Sequence, residues 1–204
     1  MSGKRLFDIG ISILGLVFSA PVMFGLALAV FISIGRPILF RQVRSGLGGV
    51  EFTLAKFRSM RNDYDSNGML LPDDERLTAT GRFMRRYRFD ELPELLLIAR
   101  GDMSFVGPRP LPQSLIKAHG VLLARSRVLP GLTGLAQVSG NTLLTDNEKF
   151  AIDLYYVDHM SGLRDLQIIL KTAATVFRGE KRNEPLIREA LKHASNPNRR
   201  GQWN

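Results

Sequence analysis

The stretch Ile9–Ile34, IGISILGLVFSAPVMFGLALAVFISI, runs for 26 residues without a charge. As one straight helix it would extend about 39 Å, enough to cross a bilayer. It is too long for a cleaved signal peptide, and no small-residue cleavage site leads into a polar start. A buried soluble helix rarely stays this uniformly apolar over such a length. Pro21 stands at the middle of the run, where it removes a backbone hydrogen bond and crowds the preceding turn. Ser19 beside it can satisfy a freed carbonyl, as hydroxyls do in broken membrane helices. Basic residues flank both ends: Lys4 and Arg5 precede the run, and Arg36, Arg41 and Arg44 follow it. The positive-inside rule therefore draws both ends to the cytoplasmic side. A re-entrant helix-break-helix turning at Ser19, Ala20 and Pro21 meets both conditions, with a proline-kinked span as the alternative.

The remaining composition fits an anionic partner. Of 204 residues, 28 are Lys or Arg against 19 acids, a formal net charge of +9. That balance suits nucleic acid, an anionic phospholipid membrane or phosphorylated substrates. The chain has no cysteine, which excludes disulfides, thiol nucleophiles and cysteine metal sites. His119, His159 and His193 show no metal-ligand spacing and are assigned to the surface or helix ends.

After the apolar run, PILFRQV and VEFTLAKF flank the glycine-rich RSGLGG, which predicts a β-hairpin. Lys56, Arg58 and Arg61 at its end read either as charges blunting a strand edge or as phosphate contacts. DYDSNGMLLPDD, from Asp63, resembles the start of a calcium loop. Its twelfth position is Asp74 rather than glutamate and a strand precedes it, so turn chemistry accounts for the same letters. Arg76, Arg82, Arg85, Arg86 and Arg88 then crowd into thirteen residues. On a helix, Arg85 and Arg88 share a face, either solvated or turned to phosphate groups.

RFDELPELLLIARGDMSFVGPRP, Arg88–Pro110, follows. Local rules make Asp90 the N-cap of a helix from Glu91 to about Arg100, with Pro93 in its first turn and Gly101 closing it. A helix N-terminus also attracts phosphate, and Asp90 and Glu91 beside a phosphate ligand form an oxygen-rich site for magnesium. Arg109, fixed between Pro108 and Pro110, is mounted stiffly enough to clamp a phosphate. Further on, Leu166, Ile169, Leu170, Ala173, Val176 and Phe177 fall on one helical stripe. It faces either the core or a membrane interface. From Glu180 the chain is polar, ending in a tail expected to be mobile. The fold class is α+β: the N-terminal membrane hairpin over residues 1–35, a core over 36–179 with a small hairpin and interfacial amphipathic helices, and a polar tail over 180–204.

KFRSM, LPDDERL, FDELPELLL, GDMSFVGPRP, PGLTGLAQVSG and DLYYV, in this order after an apolar helix with a central proline, resemble the bacterial sugar transferase family. These are the small monotopic phosphoglycosyl transferases, and the resemblance runs from about Lys4 to Phe177. It implies an enzyme that moves a phosphosugar from a UDP-sugar to polyprenol phosphate, initiating glycoconjugate or polysaccharide assembly. It also implies a bacterial inner-membrane location with the core on the cytoplasmic face. Asp90 would be the nucleophile and Glu91 its partner, both at a Mg2+ site. Lys56, Arg58, Arg85, Arg88, Arg109 and Gln137 would contact phosphate or nucleotide.

The chain departs from the family at Leu129, where an arginine is frequent, and at Asn141, where GR is frequent; substrate contacts assigned to those arginines do not transfer. A competing reading, a non-enzymatic basic membrane adaptor, explains charge and anchoring but not Asp90-Glu91 beside GPRP. Nucleic-acid binding leaves the apolar run without a purpose.

Overall fold

The computed structural model describes residues 3–118 and 120–196. His119 and the end of the expected mobile tail, 197–204, lie outside the described residues. The fold mixes helices with two small sheets, of which the sequence predicts the hairpin but not the second, parallel pair. Helix α1, Gly3–Ile34, carries the apolar run, and it is the one helix among the described residues long and apolar enough to cross a membrane.

The expected break at Ser19-Ala20-Pro21 does not interrupt the helix. Pro21 lies inside α1, and Ser19 Oγ points to Met23 Sδ at 3.5 Å rather than to a freed carbonyl. A proline deletes one intrahelical hydrogen bond, and the turns on either side keep theirs. One stripe of α1 packs on the rest of the chain along its whole length. Asp8 and Ser12 are buried near its start, Leu16 joins the cluster around Ile98 and Met103, and Val30 is sealed against Phe57 and Met84. The other faces stay exposed, including Phe18 at 79% and Ile32 at 76%.

Polar ties fasten its first turns. Lys4 Nζ pairs with Asp165 Oδ2 at 2.5 Å, and Asp8 accepts from Ser104 Oγ at 2.7 Å and Phe105 N at 3.3 Å. Arg5 donates to the carbonyls of Ile98 and Ala99 at 2.6 and 3.1 Å.

Strands β1, Leu39–Ser45, and β2, Glu51–Phe57, form the predicted antiparallel hairpin, in register from Leu39↔Phe57 to Ser45↔Glu51. The calcium-like segment is a turn: Asp65 Oδ1 accepts from Asn67 N and Met69 N, spending its carboxylate on backbone. Short α2, Asp73–Arg76, leads to α3, Ala79–Tyr87, capped by Thr78. Arg88 then adopts left-handed backbone at φ 58°, and Phe89–Glu91 form a 3-10 turn. Helix α4 covers Glu94–Arg100 and ends at left-handed Gly101, φ 108°. Asp90 is therefore not its cap; Pro93 precedes the helix and no side chain caps it.

Strand β3, Ser104–Val106, then α5, Gln113–Ala118, precede β4, Gly131–Thr133, which pairs with β3 in parallel. A Cβ on Gly131 would lie 2.1 Å from Gly107 N, so only glycine lets the two chains cross there. Thr145 and Glu148 form a capping box on α6, Asp146–Asp158.

Helix α7 spans Gly162–Arg178, and part of its predicted stripe faces outward: Leu166, Leu170 and Phe177 are 50%, 64% and 81% exposed, while Ile169 packs against the core cluster and Val176 is half-buried. The core side is carried instead by Asp165 and Ile168, so the interfacial alternative fits this helix. Within the expected polar tail, α8, Glu184–Ala194, buries Ile187 and Ala190 against the α6 cluster.

Candidate functional site

A cavity of about 740 Å³ opens where the turn after α3, the Pro108–Pro110 loop, β4 and the end of α7 meet. Lys56, Arg85, Arg88, Asp90, Glu91, Arg109 and Gln137, all singled out in the sequence, line it. Arg58 does not; its guanidinium donates to the carbonyls of Met60 and Arg36 at 3.1 and 3.3 Å. Counting Arg86 and Arg178, six basic side chains face three carboxylates, a surplus that favours a ligand with several negative charges.

The two adjacent carboxylates differ in occupation. Arg88 Nε and Nη2 donate to Glu91 Oε2 at 2.9 and 2.6 Å, and Arg109 approaches Glu91 Oε1 at 3.4 Å. Asp90 is 6% exposed, and no side-chain hydrogen bond or ion pair engages its carboxylate among the described residues. Burial raises its pKa, the neighbouring Glu91 charge adds to the rise, and Lys56, its own backbone N–H and Arg85 oppose it. Lys56 is lowered by burial first, with the Asp90 charge pulling the other way. The 3-10 turn accounts for the division of labour. With Arg88 left-handed, its side chain folds back on Glu91 three residues later while Asp90 faces the cavity.

The loop bearing Arg109 is braced from behind. Arg125 Nη2 donates to Arg109 O at 2.7 Å and also pairs with Asp153, both side chains 6% exposed. Arg44 Nη1 donates to Pro110 O at 3.2 Å. Arg85 is steered by its Nε bond to Ser59 Oγ at 2.9 Å. Gln137 Nε2 donates to Leu132 O at 3.3 Å, and its buried Oε1 has no partner among the described residues.

For magnesium, one or two carboxylates plus ligand phosphates and waters form the usual set. Asp90 and Glu91 match that number. No cluster of three acidic, histidine or cysteine ligands occurs among the described residues. The donor set thus fits an ion that takes its other oxygens from a diphosphate.

Sequence reasoning missed Glu94, although its position, four residues past Asp90 and three past Glu91, is a helical-neighbour spacing. It is 5% exposed. Burial, then the Glu91 charge, pushes its carboxyl up to about 8 against Arg109, Lys56 and Arg88. Unfolded, that carboxyl titrates near its ordinary 4.5. Across the window from 4.5 to about 8 the unfolded chain binds fewer protons than the folded one, so stability falls as pH rises. Glu94→Gln removes this fall. Its unfolding free energy in detergent should match the parent near pH 4 and exceed it by roughly 2–4 kcal/mol near pH 9. A parallel pH dependence in both proteins would refute the burial argument.

A family profile described as bacterial sugar transferase matches residues 1–179. The chain is 43% identical over 178 residues to the uncharacterized sugar transferase EpsL of Bacillus subtilis (strain 168), covering 87% of this chain and 88% of that protein. It is 38% identical over 185 residues to the UDP-glucose:undecaprenyl-phosphate glucose-1-phosphate transferase of Caulobacter vibrioides, covering 85% of this chain and 69% of that one. The exopolysaccharide production protein ExoY of Sinorhizobium fredii is 37% identical over 193 residues, covering 85% of this chain and 84% of its own.

Proposed function

The chain belongs to the bacterial sugar transferase family, and from that premise we propose that it moves a sugar phosphate from a UDP-sugar to polyprenol phosphate through a covalent aspartyl intermediate. The observation carrying this reading is the asymmetry of the dyad: Asp90 lines a basic cavity with no side-chain partner among the described residues, and Glu91 is held by two arginines. The name of the relative from Caulobacter vibrioides supplies the donor and acceptor classes.

The chemistry follows from the residues. A carboxylate oxygen of Asp90 attacks the phosphorus bearing the sugar, and the bond from that phosphorus to the UMP oxygen breaks, with UMP keeping the electron pair. An oxygen of polyprenol phosphate then attacks the same phosphorus and the bond to Asp90 breaks, returning the carboxylate. Lys56, Arg85 and Arg109 offset repulsion between Asp90 and the diphosphate and hold charge on the departing phosphate. Glu91, fixing Arg88 and Arg109, keeps those donors aimed. Magnesium bound through Asp90, Glu91 and the diphosphate would add Lewis-acid stabilisation of the leaving oxygen. The partly raised Asp90 pKa keeps its nucleophile from being over-stabilised as an anion by its surroundings.

Purified protein with Mg2+, polyprenol phosphate and a UDP-sugar panel headed by UDP-glucose should release UMP in step with lipid-linked product. No release with any donor refutes the assignment.

The topology belongs to the same reading: α1 enters and leaves the membrane on the cytoplasmic side. The basic residues at both ends of the apolar run support this, and it requires a bend at Pro21, since the 32-residue helix is otherwise continuous. Gly3→Cys and Leu47→Cys, both at exposed positions, test it. In sealed inverted vesicles both should react with an impermeant maleimide; protection of one alone would show a span.

A further inference from the structure

Just past the matched family region, which ends at residue 179, the chain turns back onto the catalytic cavity. Glu180 lines that cavity together with Gln137, Asn141 and Thr142. The segment 179–183 is held at both ends, by α7 before it and by α8 after it. Between them it is tied to the loop 139–143. Asn183 N donates to Ser139 O at 3.0 Å, and Arg182 Nη1 donates to Leu143 O at 2.6 Å while Nη2 pairs with Glu148 Oε1 at 2.7 Å.

Glu180 completes the set. Its carboxylate accepts from Asn141 Nδ2 at 2.6 Å, from Thr142 N at 3.1 Å and from Thr142 Oγ1. Burial opposes the Glu180 charge, but the Thr142 and Asn141 bonds outweigh it and hold the carboxyl below its ordinary range. An ionised carboxylate only accepts, so the Asn141 amide must turn Nδ2 towards Glu180. Its Oδ1 is then the end with no hydrogen bond among the described residues. The backbone agrees with this placement: Asn141 sits at φ 41°, a left-handed conformation that asparagine tolerates better than most residues. Gln137 is fixed in the same sense. Its Nε2 is spent on Leu132 O, and its buried Oε1 has no partner among the described residues.

This corner differs from the rest of the cavity. The arginines and Lys56 offer cations to phosphate, whereas here two amide oxygens, backed by a carboxylate, offer only acceptors. Phosphate oxygens would find no donor from them, and an apolar chain would leave both oxygens unpaired. Hydroxyl groups satisfy them. In a UDP-sugar, the phosphorus that Asp90 attacks bears the sugar directly, so sugar hydroxyls enter the cavity that Asp90 lines, with the uridine one phosphate further off.

We propose that Asn141 selects the donor by accepting a hydroxyl of its sugar, and that Glu180 is the positioning residue holding the amide in that orientation. The proposal rests on the transferase reading above and adds which residues read the sugar.

Calorimetric binding in detergent with Mg2+ tests it, on the Asp90→Asn background so that no turnover consumes the donor. The ligands are UDP and the tightest binder of a UDP-hexose panel headed by UDP-glucose. Asn141→Gly removes the amide and suits the left-handed backbone. It should weaken the UDP-hexose about tenfold, the scale of one hydrogen bond to a group left unpaired, and UDP less than twofold. Glu180→Gln gives Asn141 a partner that both donates and accepts, which frees its amide to turn over. It should weaken the UDP-hexose about threefold or more, spare UDP, and add nothing to Asn141→Gly, because Glu180 acts through Asn141. Equal losses for UDP and the UDP-hexose would place the amide on the nucleotide and overturn the proposal. Unchanged binding of both ligands, or binding of no UDP-hexose, overturns it as well. Additive losses overturn the positioning role of Glu180. Binding needs no chemistry, so these failures stay distinct from failure of the transferase reading, which shows as absent UMP release in the parent.

Discussion

Asp90→Asn should lower transfer to polyprenol phosphate by about four orders of magnitude or more, the scale of losing a covalent nucleophile. An amide nitrogen or oxygen at that position cannot form the acyl phosphate, whereas the cavity, its basic residues and the Glu91 fork all remain. The substitution also removes a buried carboxylate whose burial already disfavours ionisation. Thermal stability should therefore hold or rise, and a dead yet stable variant distinguishes chemistry from collapse. Glu91→Gln makes the matched control. It loosens Arg88 and Arg109, so activity should fall by about two to three orders of magnitude with some turnover left. Quenched-flow measurement of a UMP burst in the absence of acceptor checks both. Full activity in Asp90→Asn would remove the nucleophile assignment altogether.

Arg125→Met should cost about 3–5 kcal/mol, lowering the melting temperature by about 10 °C in a chain of this size. Arg125 and Asp153 are both nearly sealed from water, so removing the cation leaves a buried carboxylate with no counter-charge. Burial already pushes the Asp153 carboxyl up, and Arg125 is the group opposing that shift. Adding Asp153→Leu to the variant should restore much of the lost stability, because it removes the orphaned charge rather than the pair's attraction. Activity should not recover in parallel. Arg109 O still lacks its 2.7 Å donor, and the loop carrying Arg109 loses its brace. Differential scanning calorimetry of the three proteins, with UMP release at a temperature where all are folded, separates the effects. Recovery of both together would mean that Arg125 contributes nothing to holding Arg109.

The sequence was legible where chemistry is local or repetitive. A charge-free run announces α1, and RSGLGG announces the hairpin because left-handed backbone there wants glycine. The dyad and its basic lining were legible from motif order, and seven of those side chains do meet in one cavity. Partners distant in sequence were not. Nothing near Arg125 points to Asp153, 28 residues on, or near Asp8 to Ser104, 96 residues away. Periodicity correctly found a stripe on α7, but spacing states that a face is apolar, not whether protein or lipid covers it. The local cap rule misassigned Asp90 because left-handed Arg88 starts a 3-10 turn instead of an α-helix. Glu94 looked like an ordinary first-turn acid; the hairpin and β4 packing over it bury it.

The ties made by Lys4, Arg5 and Asp8 bear on how this enzyme can be handled and how it is assembled on the ribosome. Trimming the first 35 residues to obtain a water-soluble catalytic fragment would strip Arg5 from the last carbonyls of α4 and Asp8 from Ser104. It would also bare Leu95, Phe57 and Met84 to solvent. Such a fragment should aggregate rather than work. During synthesis the anchor emerges before the core, and its buried acid and both cations find their partners only after residues 98–106 and 165 have followed. Anchor and catalyst are thus one cooperative unit, and solubilisation has to come from detergent or lipid, not from scissors.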